Sequence, residues 1–72
     1  MQIIPITTEF IKLQDLMKYA DIVGSGGEAK ILIQNGQVLV DGEPCLQRGR
    51  KIKPGNIISY KNKNYSVTYA DS

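Results

Sequence analysis

The spacing of apolar residues changes from helical to strand-like near Gly36, which limits the chain to folds that contain both kinds of element. Upstream, apolar residues at i, i+3, i+4 and i+7 predict an amphipathic helix over about residues 12–20. These residues are Leu13, Leu16, Met17 and Ala20. A second stripe predicts another helix, which ends at Asn35-Gly36 because that pair is typical of helix ends. Its members are Ala29, Leu32 and Ile33.

Beyond Gly36 the apolar residues alternate with a period of two, as β-strands do. Val38 and Val40 share one face, and Asp41-Gly42 is a two-residue turn typical of hairpins. The basic segment that follows ends in the turn Pro54-Gly55. These signals predict a hairpin and then a loop.

Two more strands are predicted over residues 57–60 and 65–69, with a turn over residues 61–64 between them. Alternation in the last strand places three residues on one face, so its tyrosines are expected to pack in the sheet rather than to stack on bases. These residues are Tyr65, Val67 and Tyr69.

The N-terminal residues 2–7 are apolar and β-branched, and Pro5 restricts them to an edge strand. Residues 70–72 are expected to be frayed. Together the elements predict an α+β fold in which two short helices pack on a small, mainly antiparallel sheet. A length of 72 residues suits one domain, so residues 1–72 are expected to form a single unit.

The composition argues against catalysis, metal binding and membrane insertion. The chain has no histidine and one cysteine, which excludes metal sites of His or paired Cys, and no Ser or Cys nucleophile has a recognisable partner. Cys45 is expected to be a small, partly buried filler. The apolar runs are too short to cross a bilayer, and the N-terminus lacks a signal-peptide pattern. We therefore expect a cytoplasmic, non-enzymatic protein with no cofactor, no metal and no membrane partner.

Charge is unevenly distributed, although the net charge is only +2. Residues 1–43 hold three lysines and six acids, whereas residues 44–70 hold six cations and no acid. Such a segment is typical of polyanion binders, and a solvated basic face is the simpler alternative. Within it, residues 48–51 (RGRK) combine forked guanidinium groups with a glycine that lets another backbone approach closely.

Residues 24–30 (GSGGEAK) place three glycines and a serine before the second helix. Helix-start amides and the helix dipole make such a segment a potential anion site. The nucleotide-binding motifs do not match, because Lys30 is followed by Ile31 rather than by Ser or Thr and the preceding element is a helix rather than a strand. We expect Ser25 or a glycine to cap the helix, the glycines to permit a tight turn, and no small-molecule substrate.

The ordered set of motifs over residues 12–60 resembles the RNA-binding domain named after ribosomal protein uS4, the S4 domain. The matching pieces are Lys12-Leu13, Ser25 with Ala29, Leu32-Ile33, Gly36, Val38 to Gly42 and Gly55-Asn56. The segments SGGEAK, VLVDGE, RGRK and PG are closer still to the small stand-alone bacterial members, called the YaaA-like or YbcJ-like group. The chain departs from the family pattern where Gly26 replaces a common arginine, and where Asp41 and Asn56 replace the usual Asn and Asp.

The resemblance implies an RNA-binding surface of the αL type, made by the two helices and the following loop. Its expected partner is structured RNA, such as ribosomal RNA or the large ribosomal subunit, bound by a monomer that serves ribosome assembly or translation. The expected RNA-binding residues are Lys12, Lys18, Ser25, Gly26, Gly27, Lys30, Arg48, Arg50, Lys51 and Lys53. The alternative from another class is a protein-interaction module whose basic loop docks on an acidic protein.

Overall fold

The computed structural model describes residues 1–70 of the 72-residue chain. The elements in chain order are β1 Gln2–Ile6, β2 Ile11–Lys12, α1 Leu13–Tyr19, α2 Gly26–Gln34, β3 Leu39–Val40, β4 Glu43–Pro44, β5 Lys51–Ile52, β6 Ile57–Tyr60 and β7 Lys63–Tyr69. Five strands form one sheet in the order β1-β7-β6-β3-β4, and β2 pairs with β5 in a separate two-stranded sheet. The predicted α+β class is confirmed.

Both predicted helices are present, and their apolar stripes face the core. Helix α1 buries Leu13, Leu16 and Met17. Helix α2 buries Ala29 and Ile33, while Leu32 is partly buried at the edge of the core. The second helix ends where predicted, because Gly36 takes the left-handed conformation with φ of 72°.

Two tight turns determine the antiparallel part of the sheet. Asp41 and Gly42 have φ values of 52° and 89°, the conformation of a two-residue hairpin turn, and they join β3 to β4 as predicted. Lys61 and Asn62, at 49° and 65°, form a second turn of this kind between β6 and β7. Because this turn needs two residues only, β7 begins at Lys63, earlier than the alternation predicted.

The first and last strands pair in parallel, from Gln2 opposite Tyr65 to Ile6 opposite Tyr69. β1 is therefore an edge strand, as predicted from Pro5. The amide of Ala70 donates a 2.7 Å hydrogen bond to the carbonyl of Ile6, so the prediction of fraying is wrong for Ala70. The same prediction for residues 71–72 lies outside the described residues.

One apolar core joins the two helices to one face of the five-stranded sheet. Cys45 is 6% exposed and belongs to this core, so it is a core filler as predicted but more deeply buried than expected. Tyr65 is also buried, but Tyr69 is 57% exposed, so the packing prediction is wrong for Tyr69, which lies at the end of its strand. On the opposite face, the cross-strand row Leu39, Ser59 and Asn64 points away from the core.

Candidate nucleic-acid interface

Strands β2 and β5 bring the basic loop beside the start of α1. Their antiparallel register pairs Ile11 with Ile52 and Lys12 with Lys51. Ile52 is fully buried and anchors the loop in the core, while both lysines stay exposed. The sequence did not predict this sheet, because strands of two residues show no period.

The carbonyl groups of the basic loop cap the start of α1. The amide of Leu13 donates to the carbonyl of Arg50 over 2.9 Å, and the amide of Gln14 donates to the carbonyl of Arg48 over 3.1 Å. Lys12, at the N-cap position, provides no side-chain cap. Helix-start amides have no partner within the helix, so these two bonds satisfy groups that would otherwise need water or a side chain.

Four cations gather around this point and form what we call the basic loop cluster. Its members are Lys12, Arg48, Arg50 and Lys51, and all four are exposed. The ammonium group of Lys51 lies 4.9 Å from the centre of the Phe10 ring, a cation–π contact that orients the lysine. Within residues 1–70 the one ion pair joins Lys18 to Asp15, so no carboxylate neutralises this cluster.

Ser25 caps helix α2. Its backbone is extended, with φ of −153° and ψ of 162°, and its Oγ accepts a 3.2 Å hydrogen bond from the amide of Glu28. The Ser25 carbonyl accepts from the amide of Ala29. The sequence predicted Ser25 or a glycine as the cap, and the structure shows that it is Ser25.

The chain bends at Gly24 and Ser25, but none of the glycines of residues 24–30 takes the left-handed conformation that favours glycine. Gly24, Gly26 and Gly27 all lack a positive φ, and the left-handed residue of the connector between the helices is Asp21, with φ of 60°. A Cβ atom on Gly26 or Gly27 would approach other atoms no closer than 4.0 Å, which is an ordinary contact. Neither a positive φ nor internal packing requires glycine at these two positions; Gly27 is exposed and Gly26 is partly exposed.

Lys18 and Lys30 lie beside these glycines. The Lys18 Nζ atom pairs with Asp15 at 3.4 Å and lies 4.0 Å from the position that a Cβ on Gly26 would take. Lys30 is exposed and follows Gly26 by one helical turn, on the same side of α2. We call this second group the glycine cluster; it comprises Lys18, Ser25, Gly26, Gly27 and Lys30.

Helix α1 connects the two clusters. The basic loop cluster lies at its start and Lys18 lies in its last turn, a separation along the axis of about 10 Å for seven residues. Lys53 differs from the other predicted residues: its backbone amide donates to Asn56 Oδ1 within the Pro54-Gly55 turn. In the described part of the chain, no polar contact links the Lys53 side chain to either helix.

No helix within residues 1–70 is long and apolar enough to span a membrane. Over the same residues, no group of three or more Cys, Asp or Glu side chains is placed to hold a metal ion.

The fold and its grouped cations define a small α+β domain with a cationic helical surface. The S4 domain family matches residues 4–68, nearly the whole chain, and the chain belongs to this family.

Two relatives from bacteria carry functional names. The chain is 44% identical over 55 residues to the protein named "Probable ribosome maturation protein RlbA" from Bacillus subtilis (strain 168), an alignment that covers 76% of this chain and 78% of the relative. It is 37% identical over 57 residues to "Putative RNA-binding protein YbcJ" from Escherichia coli (strain K12), covering 79% and 81% of the two chains.

Proposed function

We propose that residues 1–72 act as a single, non-catalytic RNA-binding domain that binds the phosphates of a structured RNA. The observation that carries this proposal is the pair of backbone hydrogen bonds from Leu13 and Gln14 to the carbonyls of Arg50 and Arg48. These bonds hold four unneutralised cations at one end of α1. Guanidinium groups bind phosphate through parallel hydrogen bonds, so a pair of exposed arginines on an anchored backbone suits an RNA backbone.

The glycine cluster supplies a second set of phosphate contacts. The amides of Gly26 and Gly27 lie at the positive end of the α2 dipole, and Lys18 and Lys30 flank them. A phosphate here would accept hydrogen bonds from backbone amides, with the lysines as point charges. Lys53 extends the same cationic field from the neighbouring turn.

The proposed target is ribosomal RNA, bound by a monomer in the cytoplasm during ribosome assembly or translation. The names of the two relatives, one for ribosome maturation and one for RNA binding, support this choice. Contacts to phosphates position a protein on its RNA without specifying sequence, so specificity must come from RNA shape or from further contacts.

Replacement of Arg48, Arg50 and Lys51 by alanine tests the proposal. The loop is held by its carbonyl groups and by Ile52, so the triple variant should keep its fold, which circular dichroism and thermal unfolding would verify. Its affinity for ribosomal RNA in a fluorescence anisotropy titration should fall at least tenfold, about 1.4 kcal/mol. The matched variant Arg48→Lys with Arg50→Lys keeps the charge but loses the forked hydrogen bonds, so its affinity should lie between those of the wild type and the triple variant. Unchanged RNA binding by the folded triple variant would remove the loop from the proposed interface.

A pull-down from lysate with and without nuclease separates RNA binding from the protein-docking alternative. A partner held through RNA should disappear after nuclease treatment. An acidic protein partner that remains, and that the triple variant loses, would contradict the proposal.

A further inference from the structure

The tip of the β6–β7 hairpin forms a second cationic surface that the proposed interface does not include. A cleft of about 490 Å³ opens beside the turn formed by Lys61 and Asn62. The cleft is open to solvent along much of its length, so a base that belongs to a strand could enter it. The cleft lies against the face of the sheet that points away from the core, where Leu39 and Ser59 contribute to its lining.

The polar groups that line this cleft match the edges of nucleobases. Three of them are side-chain amides, those of Gln37, Asn62 and Asn64. An amide presents a donor and an acceptor side by side, the arrangement with which Asn and Gln contact base edges. The Ser59 hydroxyl donates to Asn64 Oδ1 over 2.7 Å, which fixes the orientation of that amide.

The cleft also carries positive charge and an apolar surface. The ammonium group of Lys61 lies 5.4 Å from the centre of the Tyr60 ring, and both residues line the cleft. Half-buried Leu39 provides apolar surface, and no acid is among the lining residues. A nucleotide matches these groups: its base edge can bond to the amides, its ring can lie on the apolar surface, and its phosphate can pair with Lys61.

The turn that presents these groups has an unusual residue at its first position. Asn and Gly tolerate left-handed backbone, and Asn62 suits its φ of 65°. Lys61 also holds a left-handed φ, of 49°, which is uncommon for a lysine. A two-residue hairpin turn requires a positive φ at both positions, and this turn places Lys61 in the lining of the cleft.

The hairpin tip adjoins the proposed RNA interface. A smaller cleft beside Tyr60 is lined by Lys61 and Lys63 on one side and by Asp21 and Ile22 on the other. These last two residues belong to the connector that leads directly into Ser25. The hairpin tip therefore lies beside the connector that precedes α2, and an RNA strand that leaves the start of α2 along this connector would reach the hairpin.

We infer that the hairpin cleft holds one unpaired nucleotide of the RNA that binds along α1 and α2. This inference rests on the proposed function and deepens it. Contacts to phosphates do not distinguish one base from another, and the hairpin cleft adds a contact to a base. A free nucleotide carries a terminal phosphate of higher charge, and this cleft offers it one lysine and no helix start. A nucleotide within a strand, whose phosphate carries a single charge, fits the cleft better.

The test compares a flush RNA stem with the same stem extended by unpaired nucleotides. Wild-type protein should bind the extended RNA about fivefold to tenfold more tightly, the effect of one or two net hydrogen bonds and a base contact. The double variant Gln37→Ala with Asn62→Gly keeps the net charge, and glycine accepts the left-handed turn. It should lose the preference but keep its affinity for the flush stem. Gln2→Ala, which removes an exposed amide on β1 that lies on neither helix and does not line the cleft, serves as the matched control.

The possible outcomes distinguish the two proposals. Equal wild-type affinity for both RNAs, or a preference that survives in the double variant, would overturn the inference and leave the proposed function intact. Absence of binding to either RNA would overturn both. A free nucleoside monophosphate that binds as tightly as the extended RNA, and shifts the Asn62 and Asn64 side-chain amide signals in NMR spectra, would replace the inference with a small-molecule site.

Discussion

The amide of Leu13 donates to the carbonyl of Arg50 over 2.9 Å, so the basic loop itself caps helix α1. The neighbouring bond from Gln14 to Arg48 has the same character. Because both bonds use backbone atoms, the arginine side chains remain exposed and available to a ligand. The two helix starts therefore differ: two amides of α1 donate to the loop, whereas within residues 1–70 no hydrogen-bond acceptor is placed for the amides of Gly26 and Gly27.

Hydrogen exchange should reveal this difference. We expect the amides of Leu13 and Gln14 to exchange slowly, although amides in a first helical turn usually exchange fast. Gly26 and Gly27 should exchange fast in the free protein and serve as the internal control. NMR spectra recorded after transfer to deuterated buffer would measure all four rates.

Addition of RNA extends that experiment. If the glycine amides donate to a phosphate, their exchange should slow while the rates at Leu13 and Gln14 change little. Slow exchange at Gly26 and Gly27 without RNA, or no change with saturating RNA, would contradict a phosphate contact at the start of α2.

Substitution of Ser25 separates its structural role from its proposed contact with RNA. Ser25→Ala should lower the free energy of unfolding by about 1 kcal/mol, because the Glu28 amide loses its acceptor, whereas Ser25→Gly should cost only a few tenths of a kcal/mol. If the hydroxyl also donates to a phosphate, both variants should bind RNA about twofold to fivefold more weakly. Full affinity in the stable Ser25→Gly variant would restrict Ser25 to the cap.

Much of the fold could be predicted from local patterns. The helices, β6 and the Asp41-Gly42 hairpin follow from hydrophobic period and turn chemistry, which act over a few residues. The parallel pairing of β1 with β7 could not be predicted, because it joins the two ends of the chain and leaves no local signal. The left-handed conformation in the connector before α2 lies at Asp21 rather than at a glycine, and the sequence did not predict this position.

The candidate site, too, was predicted only in part from the sequence. Charge distribution selected Arg48, Arg50 and Lys51, but only the structure shows why they lie together with Lys12, because the β2–β5 pair and the carbonyl caps are long-range contacts. Phe10, which orients Lys51, carried no sequence signal of its own. The hairpin cleft was missed because its amides come from separate strands and turns.

Asp41 and Asn56 form a hydrogen-bonded pair that accounts for the two departures from the family pattern. Asn56 Nδ2 donates to Asp41 Oδ2 over 2.7 Å, and Asp41 Oδ1 accepts from the amide of Ile57 over 2.9 Å. Asn56 Oδ1 in turn accepts from the amide of Lys53. An Asn at position 41 with an Asp at position 56 would make the same set of bonds with the donor and acceptor exchanged.

A double-mutant cycle tests this exchange. Asn56→Asp alone places one carboxylate against that of Asp41 and should lower the free energy of unfolding by about 2 kcal/mol, whereas Asp41→Asn alone should lower it by about 1 kcal/mol. The double variant should recover most of this loss in urea unfolding, with a coupling energy of about 1–3 kcal/mol. Additive losses would show that the pair does not act as a unit.

The salt dependence of RNA affinity tests the central claim most directly. If the two clusters together neutralise about four to six phosphates, the logarithm of the association constant should fall against the logarithm of salt concentration with a slope of about −3 to −4. The Arg48, Arg50 and Lys51 triple alanine variant should have a slope smaller in magnitude by about 2, since about three phosphate contacts are lost. A wild-type affinity for RNA that does not change with salt would contradict phosphate binding by this surface.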